Sequence, residues 1–126
     1  MLRRYLYRTT GTITNHGTTT STTIQLPVLK STPVWILAFH AVRTGGTAAN
    51  WAPSIGQITG YTAGDINTRM EYASAAVGTA INDTFLQPIP CMSDADGRLY
   101  LQLGWVGGST DNDAVFEIWF EYPGGS

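Results

Sequence analysis

A chain of 126 residues with seven basic and nine acidic side chains has a formal net charge of -2, which argues against the basic face that a nucleic-acid binder needs to neutralise phosphates, although Arg3, Arg4 and Arg8 near the start could still touch phosphate or an acidic partner surface. Charged residues make up only 13% and apolar residues 43%; that is about half the usual share of charge, and enough apolar material for the one core that a domain spanning 1–126 can fill. Cys91 is the sole cysteine, so an intrachain disulfide and a thiolate metal cluster are excluded, and no stretch approaches the roughly 20 apolar residues of a membrane-spanning helix.

Threonine, serine and asparagine carry the polarity instead, and the 14 glycines supply turns. Threonine is β-branched and suits a half-exposed strand, so this inventory favours sheet over helix. A surface of neutral hydroxyls repels its neighbours weakly and tolerates close packing between molecules. Residues 1–8 are charged and run into threonines without an apolar stretch, so they do not read as a signal peptide, and synthesis in the cytosol is expected.

The first strand is expected from Tyr5 to Ile13, ending in a hairpin-like reversal at Asn15-His16-Gly17. Thr22 to Leu29 alternates Ile24, Leu26 and Val28 with polar residues, and Pro27 places it at a sheet edge. Val34 to Val42 is apolar on both parities and predicts a core strand covered on both faces. The segment 43–53, with Gly45-Gly46, reads as a loop, and its Trp51 anchors the loop either to its own domain or to a partner. Short strands follow at Ile55–Thr59 and Ile66–Tyr72, the second with Ile66, Thr68, Met70 and Tyr72 on one face. Ala73 to Asn82 is expected to be a loop.

Phe85 to Met92 contains Pro88 and Pro90 and belongs at an edge. Asp96-Gly97 predicts a hairpin into the strand Arg98 to Val106, and a second hairpin loop at 107–113 leads into Ala114 to Tyr122. There Phe116, Ile118, Phe120 and Tyr122 alternate with Val115, Glu117, Trp119 and Glu121. The tail 123–126 is expected to be mobile. These elements predict an all-β fold, a single antiparallel β-sandwich of about eight strands, jelly-roll-like in its spacing.

No catalytic constellation emerges, so no enzyme, cofactor or metal site is expected. His16 falls in a turn and His40 on the apolar strand, where it reads as a hydrogen-bonded core residue. Glu117 and Glu121 share a face, but four residues along a strand separate them by about 13 Å, beyond the roughly 5–10 Å of a glycosidase pair. Glu71 and Glu117 would meet only if their strands were neighbours. The run Asp94-Ala95-Asp96-Gly97 fails as a calcium loop, because counting back from Gly97 puts Met92 at the first ligand position. Cys91 reads as a small buried hydrophobe.

Four tryptophans and six tyrosines are more rings than a small sandwich is expected to hide. Core packing is expected for Trp35 and Trp105. Trp51, Tyr100 and Trp119, with Arg3, Arg4 and Tyr5 near the start, are the candidate partner contacts.

The segment Asp96-Gly97-Arg98-Leu99-Tyr100-Leu101, the closing strand Val115 to Tyr122 and the Thr/Gly-rich first half resemble the small β-sandwich accessory proteins of tailed bacteriophage particles. The resemblance implies a decoration or cement protein on the capsid surface of a virion, commonly a homotrimer, whose partners are the major capsid protein and copies of itself. It also implies that the arginine-bearing residues 1–8 form an arm clamped against the shell. The rival expectations are a carbohydrate-binding, lectin-like module in which exposed tryptophans stack on glycans, and another structural component of a phage head or tail.

Overall fold

The computed structural model describes residues 4–16, 22–26, 30–47, 50–62, 64–72, 75–76, 80–105 and 112–123. They form ten strands: β1 (Arg4–His16), β2 (Thr22–Gln25), β3 (Pro33–Gly45), β4 (Asn50–Trp51), β5 (Ser54–Gly56), β6 (Thr68–Glu71), β7 (Ala75–Ala76), β8 (Ile81–Met92), β9 (Arg98–Gln102) and β10 (Asn112–Pro123). Sheet A has the order β1-β10-β3-β8 and sheet B the order β2-β9-β5-β6, with β4 and β7 as a separate two-stranded ribbon. Every pairing is antiparallel.

The pairings are nested: β1 joins β10, β2 joins β9, β3 joins β8, β4 joins β7 and β5 joins β6. The chain is thus one long hairpin wrapped around itself, closed laterally by β10 on β3 and by β9 on β5. That is the jelly-roll arrangement of two packed four-stranded sheets.

This topology corrects the expected hairpins. Asp94-Gly97 does turn the chain, with Gly97 at φ 76° and the Asp94 carboxylate accepting from the backbone N–H of Asp96 at 2.8 Å and of Arg98 at 2.9 Å. Yet β8 lies in sheet A and β9 in sheet B, so the turn is a corner between sheets. The connections β1 to β2 and β9 to β10 also cross from one sheet to the other. Turn chemistry is local and specifies the reversal; which strand lies alongside is decided by burial. Residues 17, 107–111 and 124–126, on which parts of those expectations fall, lie outside the described residues.

Strand extents differ as well. Residues 4–8, expected as an arm, are the first residues of β1 and are paired to β10 from Arg4–Pro123 onward. The second strand runs from Thr22 to Gln25; it is a sheet edge as Pro27 implied, and residues 27–29 lie outside the described residues. Ile66 is outside β6 and exposed, because the strand begins at Thr68 and only Met70 of the expected face is buried. The expected loop at 73–82 contains β7 and the start of β8.

The strand β3 is covered chiefly on one face. Val34, Ile36, Phe39 and Ala41 point into the sandwich, whereas Trp35 and His40 are half-exposed on the outer side. The inward parity changes from even to odd at a bulge: Trp119 faces Ala38 and Phe120 faces Ile36, leaving Leu37 as the extra residue. A bulge of this kind lets one strand serve the same face with both parities, which explains why the sequence looks apolar throughout.

Trp51 and Trp105 fill the interior with stacked indoles, their centroids 5.1 Å apart at an interplanar angle of 14°, beside Phe39, Phe120, Leu101 and Ile118. The interior therefore holds more rings than expected, and the surplus left for the surface is smaller.

Candidate functional site: the outer face and free edge of sheet A

The outer face of sheet A is built from the residues that alternate with the core set. Cross-strand register aligns them in rows: Thr12, Val115 and Val42; Thr10, Glu117, His40 and Asn82; Arg8, Trp119, Ala38 and Thr84; Leu6, Glu121, Trp35 and Pro90. Residues opposite each other on one face lie about 4.5–5.5 Å apart at Cβ, so these rows are contacts enforced by pairing.

Glu117 is the centre of the polar part. The Trp119 indole N–H donates to its Oε1 at 2.9 Å and the Arg8 Nε–H to its Oε2 at 2.7 Å. The Arg8 guanidinium also sits 5.7 Å above the Trp119 ring, within cation–π range. The indole hydrogen bond and then the guanidinium hold the Glu117 carboxyl below its ordinary range. A carboxylate stabilised as the anion is a poor proton donor, which disfavours its use as a general acid.

In the next strand His40 Nδ1 lies 3.0 Å from Asn82 Oδ1. His40 is thus a surface histidine bonded to a neighbouring strand, in contrast to the core residue expected. Between these groups is an open hollow of about 250 Å³, bordered by Thr10, His40, Val42, Asn82, Val115 and Glu117.

The expected contact residues are dispersed. Arg3 is outside the described residues, and Arg4 is placed by its backbone pairing with Pro123. Tyr5 is exposed, with its ring 5.6 Å from that of Tyr122. Trp51 is fully buried, so it anchors its segment to its own domain through Trp105. Tyr100 is buried too, its hydroxyl donating to Asp94 Oδ2 at 2.5 Å; it braces the corner between sheets and does not present a face. Trp119 alone of the three is half-exposed on sheet A.

Other chemistry looked for in the sequence falls apart in space. Glu71 is on β6 of sheet B and Glu117 on β10 of sheet A, so their strands are not neighbours. Burial pushes the Cys91 thiol up to about 12, which leaves it protonated and inert. Among the described residues no group of three or more His, Cys, Asp or Glu is placed to hold a metal ion. No helix among them is long and apolar enough to cross a membrane.

Two features escaped the sequence reading. Leu86 is fully exposed, at the crest of an arch in β8 where residues 85–88 stand opposite Leu37 alone. The free side of β1 is the other: thirteen residues without proline, paired only to β10 among the described strands. The threonine-rich alternation of 6–14 signals a strand wet on one face but not an edge, because such a strand lacking proline reads the same whether central or terminal.

The fold and this face define a class, the jelly-roll sandwich presenting a weakly charged outer sheet. No family model matches the chain, and no curated protein matches it. Among solved structures it is similar to one described as "Bacillus endospore appendages form a novel family of disulfide-linked pili", at 12% sequence identity and a TM-score of 0.52, over 98% of this chain and 90% of that one. At that identity the likeness is one of fold.

Proposed function

We propose that this chain is a structural subunit without catalytic activity that assembles with copies of itself. The observation that carries the reading is the edge of β1, which among the described strands pairs with β10 alone. An exposed row of N–H and C=O groups on a long strand is a template for another strand, and monomeric proteins blunt such edges with prolines, bulges, charges or short length. The strand β1 has thirteen residues, no proline, and Arg4 and Arg8 as its only fixed charges, with Arg8 already bound to Glu117. Leu6 and Tyr5 of that strand are exposed large hydrophobic residues. The likeness to an appendage pilus protein supports the same structural reading.

The finer form of the proposal is a decoration subunit on a virion surface, contacting the major capsid protein; it rests on the resemblance of the 96–101 and 115–122 segments to phage accessory proteins. A carbohydrate-binding reading needs a row of exposed rings for stacking, and the burial of Trp51 and Tyr100 removes two of its three members.

Sedimentation or light scattering of the purified chain tests the reading. A mass of two or more copies of 13.6 kDa is expected; a monomer at every concentration, with or without capsid shells, overturns it.

A further inference from the structure

From the register of β1 we infer its partner: β1 of a second copy, antiparallel, with a two-fold axis at Thr10. The inference rests on the self-assembling reading and specifies its contact.

Strand lengths narrow the choice. Only β1, β3, β8 and β10 exceed ten residues, and β3 and β10 are interior to sheet A. The edge of β8 is interrupted by Pro88 and Pro90 and by the four-residue arch at 85–88, and proline cannot donate to a ladder. The edges of sheet B, β2 and β6, have four residues each. Among the described strands, the remaining edge that matches β1 in length and continuity is β1 itself.

Thr10 is the midpoint of Arg4–His16, so a two-fold axis there pairs β1 with itself along its whole length. With Thr10 on the axis, Arg8 faces the partner's Thr12, Leu6 faces the partner's Thr14, Tyr7 faces the partner's Ile13 and Thr9 faces the partner's Gly11. No arginine stands opposite an arginine, and aromatic and β-branched residues are matched across strands. Placing the axis at Arg8 instead would set two arginines face to face, which is destabilising. The parity also keeps each outer face outward, so two sheets A join into one eight-stranded sheet with a closed, isologous contact.

Two measurements on the full chain test this. Thr10→Cys, under mild oxidation, is expected to give a covalent dimer, while Leu86→Cys, fully exposed on the opposite edge, stays uncrosslinked; Cys91 is buried and does not interfere. Hydrogen exchange of the unmodified chain is expected to show alternate amides of β1 slowed by about tenfold or more in the assembled state relative to dilute protein. An assembly in which β1 amides exchange as in the monomer, or one whose mass is an odd number of copies, overturns the two-fold pairing and leaves the structural reading standing. A monomer at all concentrations removes both.

Discussion

Sheet A ends in two strands of nearly equal length, thirteen residues in β1 and twelve in β8, and the two ends are built on opposite plans. The edge at β8 is broken by Pro88 and Pro90 and bulged at residues 85–88, which stand opposite Leu37 alone, so its outer side cannot present a continuous ladder,. The edge at β1 follows β10 residue for residue from Arg4 to Ile13, with an irregularity only between Ile13 and His16. Among the described strands one end of the sheet is interrupted and the other is continuous and unpaired on its outer side. Under the two-fold pairing proposed above, that asymmetry lets the subunit join one neighbour through β1 while the β8 edge stays blunted.

The comparison breaks first if β1 depends on more than its ladder. Gly11 lies under the Phe116 ring, and a Cβ there would stand 2.6 Å from the ring carbon; the pair is an aromatic cover over a strand glycine. Phe116→Ala removes that cover together with a buried ring of the core and is expected to cost about 3–5 kcal/mol, read from urea denaturation. Native-state hydrogen exchange should show protection falling in β1 more than in β8. Equal loss at both strands would mean that the two edges share one cooperative unit.

Opening the closed edge is the next test. Pro88→Thr with Pro90→Val restores two backbone donors to β8 and is expected to extend assembly beyond a pair, seen as scattering that grows with concentration. An unchanged mass would show that the arch at 85–88, and not the prolines, keeps this side closed.

Much of the sandwich was legible because its strands alternate, and alternation reports burial on one face. Ile24, Met70, Leu99, Phe116 and Ile118 followed that rule. Strand partners were not legible: Asp94 to Gly97 specifies a tight turn, but nothing in four residues says that β8 and β9 belong to different sheets. The contact residues fared unevenly for a related reason. Trp51, in a polar segment, is compatible with either a partner or its own core, and only the position of Trp105 decides between them. The Arg8–Glu117–Trp119 cluster joins residues 109 positions apart, beyond the reach of any local pattern.

That cluster gives the smallest effect and the one that probes the open side most directly. Glu117 titrates below its ordinary range because Trp119 and Arg8 bond its anionic form, so its folded value lies below its unfolded one. The contribution to stability is therefore fully present above the ordinary carboxylate value and is lost as the pH falls through the lower, folded value. Arg8→Ala keeps the indole hydrogen bond and removes the guanidinium, so the carboxyl should move part of the way back up without reaching the ordinary value. Carboxyl-detected NMR titration measures that shift, and no movement would mean that Arg8 is held by solvent instead of by Glu117. Because Arg8 faces the partner's Thr12 in the two-fold register, the same titration repeated across a dilution series should give one value for the monomer and another for the pair. A Glu117 curve that is independent of concentration would place the contact elsewhere than on β1.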